Sequence, residues 1–319
     1  MGSVNSSDYI GSNKDWSGFV TQVSTNTQNH YKGLWESNLQ KNRFLIKKWG
    51  WAAELQESFL GKTAVLLGAS PQIKNQIDTL RDLQNDHNFV FIGISSGMKM
   101  MFENGIRPRY IMIADADPDI NRFWNEIDME QTKGITLIAN ICTAPNLLAM
   151  WKGDIKFLGI FTSIKKMDKK IKKIFPDLNL CGQFFPALSS QYNVGAAFAF
   201  LILCCKILIF VGSELGFKTN ESPYYPDRKD VKDTWIRKPH PDIYGNTVYT
   251  NYMLMTLKLT LEDFLGRIAG AGYFFNCTEA GILGVNKRYG NLPWIQQLTL
   301  NGGITQARHI MQTGEPLYI

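Results

Sequence analysis

From residue 63 onward, short apolar runs closed by small or acidic polar residues alternate with stretches of helical periodicity. "TAVLLG" (Thr63–Gly68), "FVFIGIS" (Phe89–Ser95), "YIMIADA" (Tyr110–Ala116), "ITLIAN" (Ile135–Asn140) and "IKFLGIF" (Ile155–Phe161) read as strands covered on both faces. Helices are predicted over Gln72–Leu83, Gly97–Asn104 and Ser189–Cys205. After the last of these a tight turn leads into the strand "ILIFVG", and "GYFFNCT" (Gly272–Thr278) adds a late strand. Such alternation predicts an α/β fold, Rossmann-like, with a mostly parallel sheet and helices on both faces.

The flanks read differently. Residues 1 to about 30 are polar and rich in Ser, Asn and Thr, and are expected to be loose. Trp35, Leu39, Phe44, Leu45, Trp49 and Leu55 recur at roughly helical spacing, predicting one or two helices ahead of the main domain. Residues 218–250 are polar, hold four prolines and follow a strand end directly, as a lid or binding loop would. The chain is thus expected to divide into a polar N-terminus with helical extension (1–60), a Rossmann-like domain (61–284) holding the 218–250 insertion, and a peripheral tail with one helix (285–319).

Composition narrows the class. An apolar content of 45% suffices for a packed core, and a net charge of +6 suits an anionic substrate without arguing for nucleic acid. Five scattered cysteines without a CxxC read as buried reduced thiols of a cytoplasmic protein. The apolar stretch Val194–Gly212 is interrupted by Lys206 and changes from Ala/Leu-rich to β-branched, so no membrane span is expected.

In an open α/β sheet, ligands bind beyond the carboxyl ends of the strands. Those ends collect Gly68, Ala69, Ser70 and Pro71; Ser95 and Ser96; Asp115 and Asp117; Asn140; Ser213 and Glu214; and Asn276, Thr278 and Glu279. Gly68 either makes an ordinary turn with Ser70 as helix cap or lets a phosphate approach the backbone. Asp115 and Asp117 share one side of an extended segment. They would hold Mg²⁺, cap the next turn, or take a ribose hydroxyl or a proton. Ser189, Ser190 and Asn193, at the start of an apolar helix, suit an anion or simple capping. His240, in the proline-rich insertion, is a candidate general base or an exposed loop histidine. Tyr224, Tyr225, Arg228 and Arg237 of the same loop suit stacking and phosphate contacts. Glu279 is a candidate orienting group or base. No cofactor is fixed by these residues beyond a possible Mg²⁺.

"AVLLGASPQI", "ENGIRPRYIMIADADP", "SSQYNVGAAFAFLILCCKILIFVGSELGF" and "NCTEAG" resemble, in order and spacing, the motility accessory factor and 6-hydroxymethylpterin diphosphokinase-like family. Gly68, Ala69 and Pro71 match its first motif V-G-A-G-P-S-L, whereas Ser70 and Gln72 depart from it. The resemblance implies two chemistries. One transfers a nonulosonic, sialic-acid-like sugar from a CMP-linked donor to a protein or glycan, with Gly68–Ser70 and Ser189–Ser190 contacting CMP and a lid histidine, His240, as base. The other transfers diphosphate from ATP to a pterin alcohol, with Mg²⁺ on Asp115 and Asp117. A non-catalytic module that binds a surface or flagellar protein is the expectation from a different class.

Overall fold

The computed structural model describes residues 14–119, 124–159, 169, 171, 173, 174, 190–218, 237–287 and 290–317, with the backbone alone for 14–28. Its centre is an eight-stranded sheet in the order β12-β9-β6-β1-β2-β3-β4-β5, parallel at every pair. The strands are β1 (Thr63–Leu67), β2 (Phe89–Ile94), β3 (Tyr110–Ile113), β4 (Thr136–Asn140), β5 (Ile155–Leu158), β6 (Ile207–Val211), β9 (Tyr273–Asn276) and β12 (Gln296–Gln297), while β10 (Val285–Asn286) and β11 (Gly290–Asn291) form a separate antiparallel pair. All of β1 and β6 is buried, which accounts for their unbroken apolar runs.

Alternate side chains feed two cores. On one face Val65, Phe91, Ile111, Leu137 and Ile209 meet α1 (Lys14–Trp49), α2 (Ile77–Leu83), α3 (Met98–Glu103), α4 (Pro145–Met150) and α7 (Leu300–Thr313). On the other, Leu66, Ile92, Met112, Leu208 and Phe274 meet α5 (Gln191–Ala197) and α6 (Tyr252–Arg267). The expected Rossmann-like layering is the observed one. The helix expected over Ser189–Cys205 is α5 followed by a π-helical turn, Phe198–Ile202, and Cys204 at positive φ makes the tight turn into β6. Among the described residues no helix is long and apolar enough to cross a membrane. Cys142, Cys205 and Cys277 are buried and unpaired, and burial pushes their thiols up.

Two expectations are corrected. The N-terminal segment is helical from Lys14, because Trp16, Phe19, Val20 and Val23 continue the apolar spacing of Trp35 and Leu39 through a polar-looking stretch. The tail is not peripheral: Ile304, Ala307 and Ile310 of α7 enter the first core, and β12 extends the sheet. Helix α6 carries no expectation above, although Asn251 caps it on the Leu254 N–H and apolar residues follow at helical spacing. Of the 218–250 insertion, the described part forms a hairpin of β7 (Lys238–Pro241) and β8 (Thr247–Thr250), tied to the loop after β6 through Phe217 and Tyr249. Tyr224, Tyr225 and Arg228 lie outside the described residues. Arg237 sits over the Phe217 ring, its guanidinium carbon 5.2 Å from the ring centre.

Candidate active site

The strand order reverses between β1 and β6, the position at which an α/β sheet usually opens a crevice. Here two backbones run close together at that position. The Gly68 N–H donates to the Val211 carbonyl (2.8 Å), and a Cβ on residue 68 would overlap the Gly212 carbonyl. A Cβ on Gly97 would stand 3.0 Å from the Gly68 carbonyl. The apolar run therefore ends in glycine because a second backbone passes there, a sufficient reason without any phosphate. Gly68→Ala is expected to cost about 1–3 kcal/mol through forced displacement of β6. Chemical denaturation of the variant checks this, and an unchanged midpoint would contradict the close approach. Beside it, Ala69 is buried, and Ser70 begins a 3-10 turn, Pro71–Gln76, whose hydrogen bonds its side chain does not cap. The buried Ser70 hydroxyl has no partner among the described residues.

Two strands away, among the described residues, Met112, Ala114, Asn140, Leu158, Gln191 and Val194 line a narrow crevice beyond β3, β4 and β5, too tight to hold a water molecule. Asp115 stands at its rim, and Gln191, the first residue of α5, reaches it. The Gln191 amide Nε2 donates to Asp115 Oδ2 in a short hydrogen bond. Gln191 Oε1 accepts from both the backbone N–H (3.0 Å) and the hydroxyl (2.8 Å) of Ser95 at the end of β2. Burial pushes the Asp115 carboxyl up to about 6; the Gln191 amide opposes the shift and Asp117 adds to it. Asp117 Oδ1 accepts from the Asp119 N–H (2.9 Å), and Asn140 Oδ1 from the Cys142 N–H (2.8 Å), so each also holds its own turn. Ser96 is partly buried beside this network.

The N-terminal helix closes one side of the site. Asn38 and Asn42, buried on α1, donate to the carbonyls of Ala116 (2.8 Å) and Cys142 (3.1 Å), and of Ile141 (3.0 Å) and Thr143 (2.7 Å). Four loop carbonyls are thereby satisfied by one helix, which fixes the turns carrying Asp115, Asp117 and Asn140. Two turns earlier, Tyr31 stacks on Trp35 at 6.4 Å between ring centres. Its phenol is held above its ordinary range by burial and then by the negative charges of Asp117 and Asp115.

Other expected residues go elsewhere. Ser190 caps α5, accepting from the Asn193 N–H (3.1 Å), and the Asn193 side-chain NH₂ is spent on the Leu257 carbonyl (3.0 Å) and Thr260 (2.7 Å) of α6. Asn193 thus joins two helices and is buried away from solvent. Ser189 lies outside the described residues. Glu279 Oε1 accepts from Gln76 (3.0 Å) and the Leu300 N–H (2.9 Å), which fits the orienting alternative. His240 is buried on β7 rather than held in an open loop, and its Nδ1 donates to the Pro241 carbonyl (2.6 Å). Burial, with Lys258 and Lys287 nearby, lowers it to about 4, so it is neutral and a weak base near pH 7. Among the described residues no group of three or more His, Cys, Asp or Glu side chains gathers to hold a metal. Sequence reasoning missed Gln191 and the paired asparagines of α1. Their signals were polar residues interrupting otherwise apolar helix faces.

A family model of the 6-hydroxymethylpterin diphosphokinase MptE-like proteins matches residues 37–220, more than half of the chain. The chain belongs to this family. The matched segment of this family member begins within α1 and runs through β6, so it contains Asn38, Asn42, Asp115 and Gln191. Among solved structures, the MAf glycosyltransferase from Magnetospirillum magneticum AMB-1 shares the fold, with a TM-score of 0.51 at 15% identity. The likeness covers 84% of this chain but 43% of that protein, so the present chain spans less than half of its neighbour's length. No curated protein matches the chain.

Proposed function

We propose that the protein is a glycosyltransferase that moves a nonulosonic, sialic-acid-like sugar from a CMP-linked donor to a hydroxyl of a protein or glycan. What carries this reading is the likeness to the motility accessory glycosyltransferase. It extends over 84% of the chain, whereas the family match stops at residue 220. The acid edge has chemistry suited to the transfer. The acceptor oxygen attacks the anomeric carbon as the bond to the CMP phosphate breaks, and the acceptor proton passes to a carboxylate. Asp115, raised to about 6 by burial, lies nearer the operating pH than an ordinary aspartate and suits that base role better than His240 does. Ser70, Ser95 and Asn140 would supply polar contacts to the nucleotide, and Tyr31 an aromatic face.

A second reading, diphosphate transfer from ATP to a pterin-like alcohol, is favoured by the acid pair itself. Asp115 and Asp117 repel each other, and two carboxylates fit a Mg²⁺ that takes its remaining oxygens from phosphates and water. The ion, when bound, would neutralise charge on the departing phosphate. In that case Asp115 and Asp117 hold the cation rather than take a proton.

Metal dependence separates the two. In a thermal-unfolding panel of CMP, UDP, GDP and ATP, each with Mg²⁺ and with EDTA, a ligand at a hundred times its Kd adds about 2.7 kcal/mol. Stabilisation by CMP with or without metal is the expected result. Stabilisation by ATP with Mg²⁺ alone would move the assignment to the diphosphokinase. UDP or GDP with metal would overturn the CMP donor, and silence throughout would favour the non-catalytic binding module.

A further inference from the structure

Gln191 joins three chain segments that are distant in sequence: the end of β2 at Ser95, the loop after β3 at Asp115, and the start of α5. A side-chain amide has distinct ends, one accepting and one donating. Ser95 offers two donors to Gln191 Oε1, at 3.0 Å from the backbone nitrogen and 2.8 Å from the hydroxyl. That fixes which end of the amide is the oxygen, and so turns the NH₂ toward Asp115 Oδ2. The carboxylate then has one oxygen held, leaving its orientation at the crevice rim set by α5 rather than by its own loop. Gln191 also lines the crevice, so it lies within the site.

We propose that Gln191 is the positioning residue of this site, orienting the Asp115 carboxylate toward the substrate through an amide polarised by Ser95. The inference rests on the transferase reading for its catalytic consequence, but not for the coupling itself. A purely structural role would be served by any side chain that fills the same volume. A positioning role requires an acceptor toward Ser95 and a donor toward Asp115 at once. Gln191→Met keeps length and removes both. Gln191→Glu keeps the acceptor toward Ser95 and places a carboxylate against Asp115.

Two measurements on the full chain test this. The first uses no ligand: a double-mutant cycle of Gln191→Met with Asp115→Ala, read by urea unfolding. The expected coupling is about tenfold or more in the unfolding equilibrium constant, since each single variant removes one partner of a hydrogen bond to a carboxylate. Additive effects would overturn the proposal. The second is steady-state transfer with the donor that stabilises the wild-type protein in the nucleotide panel. Both variants should lose about 10–100-fold in kcat with the donor KM changed by less than threefold, and Gln191→Glu should be the worse. A Gln191→Glu protein with wild-type kcat, or variants that raise KM alone, would overturn it. Silence of the wild-type protein toward CMP and Mg-ATP would overturn the functional reading, and the unfolding cycle would still decide the inference.

Discussion

Replacing Asp115 with asparagine should yield a protein that is more stable above pH 6 and about 100-fold or more less active. The sign follows from proton linkage. The folded-state carboxyl is raised to about 6 from an ordinary value near 3.8, so the native state keeps a proton that the unfolded chain has lost. The stability this group provides is fully present below about pH 4 and disappears as pH rises through 6. Above that point the ionised carboxylate costs the fold about 2–3 kcal/mol, which an asparagine does not. The amide oxygen of the replacement still accepts from Gln191, so the local geometry survives. Urea unfolding of both proteins at pH 4 and pH 8 checks the first half: the curves should nearly coincide at pH 4 and separate at pH 8. Separation at neither pH would show that Asp115 carries no burial cost. Asp115 would then be an ordinary surface acid rather than one held for chemistry at a stability cost.

The sequence made the sheet legible because each strand is buried on both faces. "TAVLL" and "ILIFV" have no polar position to confuse the period, and the closing residues mark their ends. The acid edge was legible for the same reason: Asp115 and Asp117 follow "YIMI" just beyond Ala114, and their position past β3 is fixed by the strand. What stayed hidden depends on contacts across long separations. Asn38 and Ala116 are paired by a hydrogen bond of 2.8 Å that no local pattern announces. Gln191 looked like an ordinary first-turn residue beside the more conspicuous serines. Gly68 was conspicuous for the wrong reason, since its neighbour Gly212 lies far along the chain and approaches only when β6 docks on β1. The proline-rich surroundings of His240 read as an open loop, yet Pro239 and Pro241 sit in a short hairpin strand that packs the imidazole inward.

That imidazole belongs to a second buried polar cluster, where the largest loss of stability is expected. Lys258 and Glu262, one turn apart on α6, form an ion pair of 2.8 Å with both side chains almost fully buried. Burial lowers Lys258, and the Glu262 carboxylate facing it opposes that shift. Glu262 Oε1 also accepts from the Gly284 N–H at 2.7 Å, which ties α6 to the loop after β9. Lys258→Met would remove the cation that faces the buried Glu262 carboxylate, and losing one partner of a buried pair typically costs about 3–5 kcal/mol. The double variant Lys258→Met/Glu262→Gln should recover most of that loss, because an uncharged amide keeps the Gly284 bond and needs no counter-charge. His240 supplies an independent readout. Its folded-state value near 4 lies below the ordinary 6.5, so its contribution is present above pH 6.5 and is lost as pH falls toward 4. Lys258 is one cause of that depression, after burial. Without the Lys258 cation, the imidazole should titrate at higher pH in the folded protein, and NMR of the His240 ring protons in the double variant would show it. An unchanged titration would mean that burial alone sets the imidazole, and the hairpin would then be electrically independent of α6. A double variant as unstable as the single one would mean that packing, rather than the stranded charge, explains the loss.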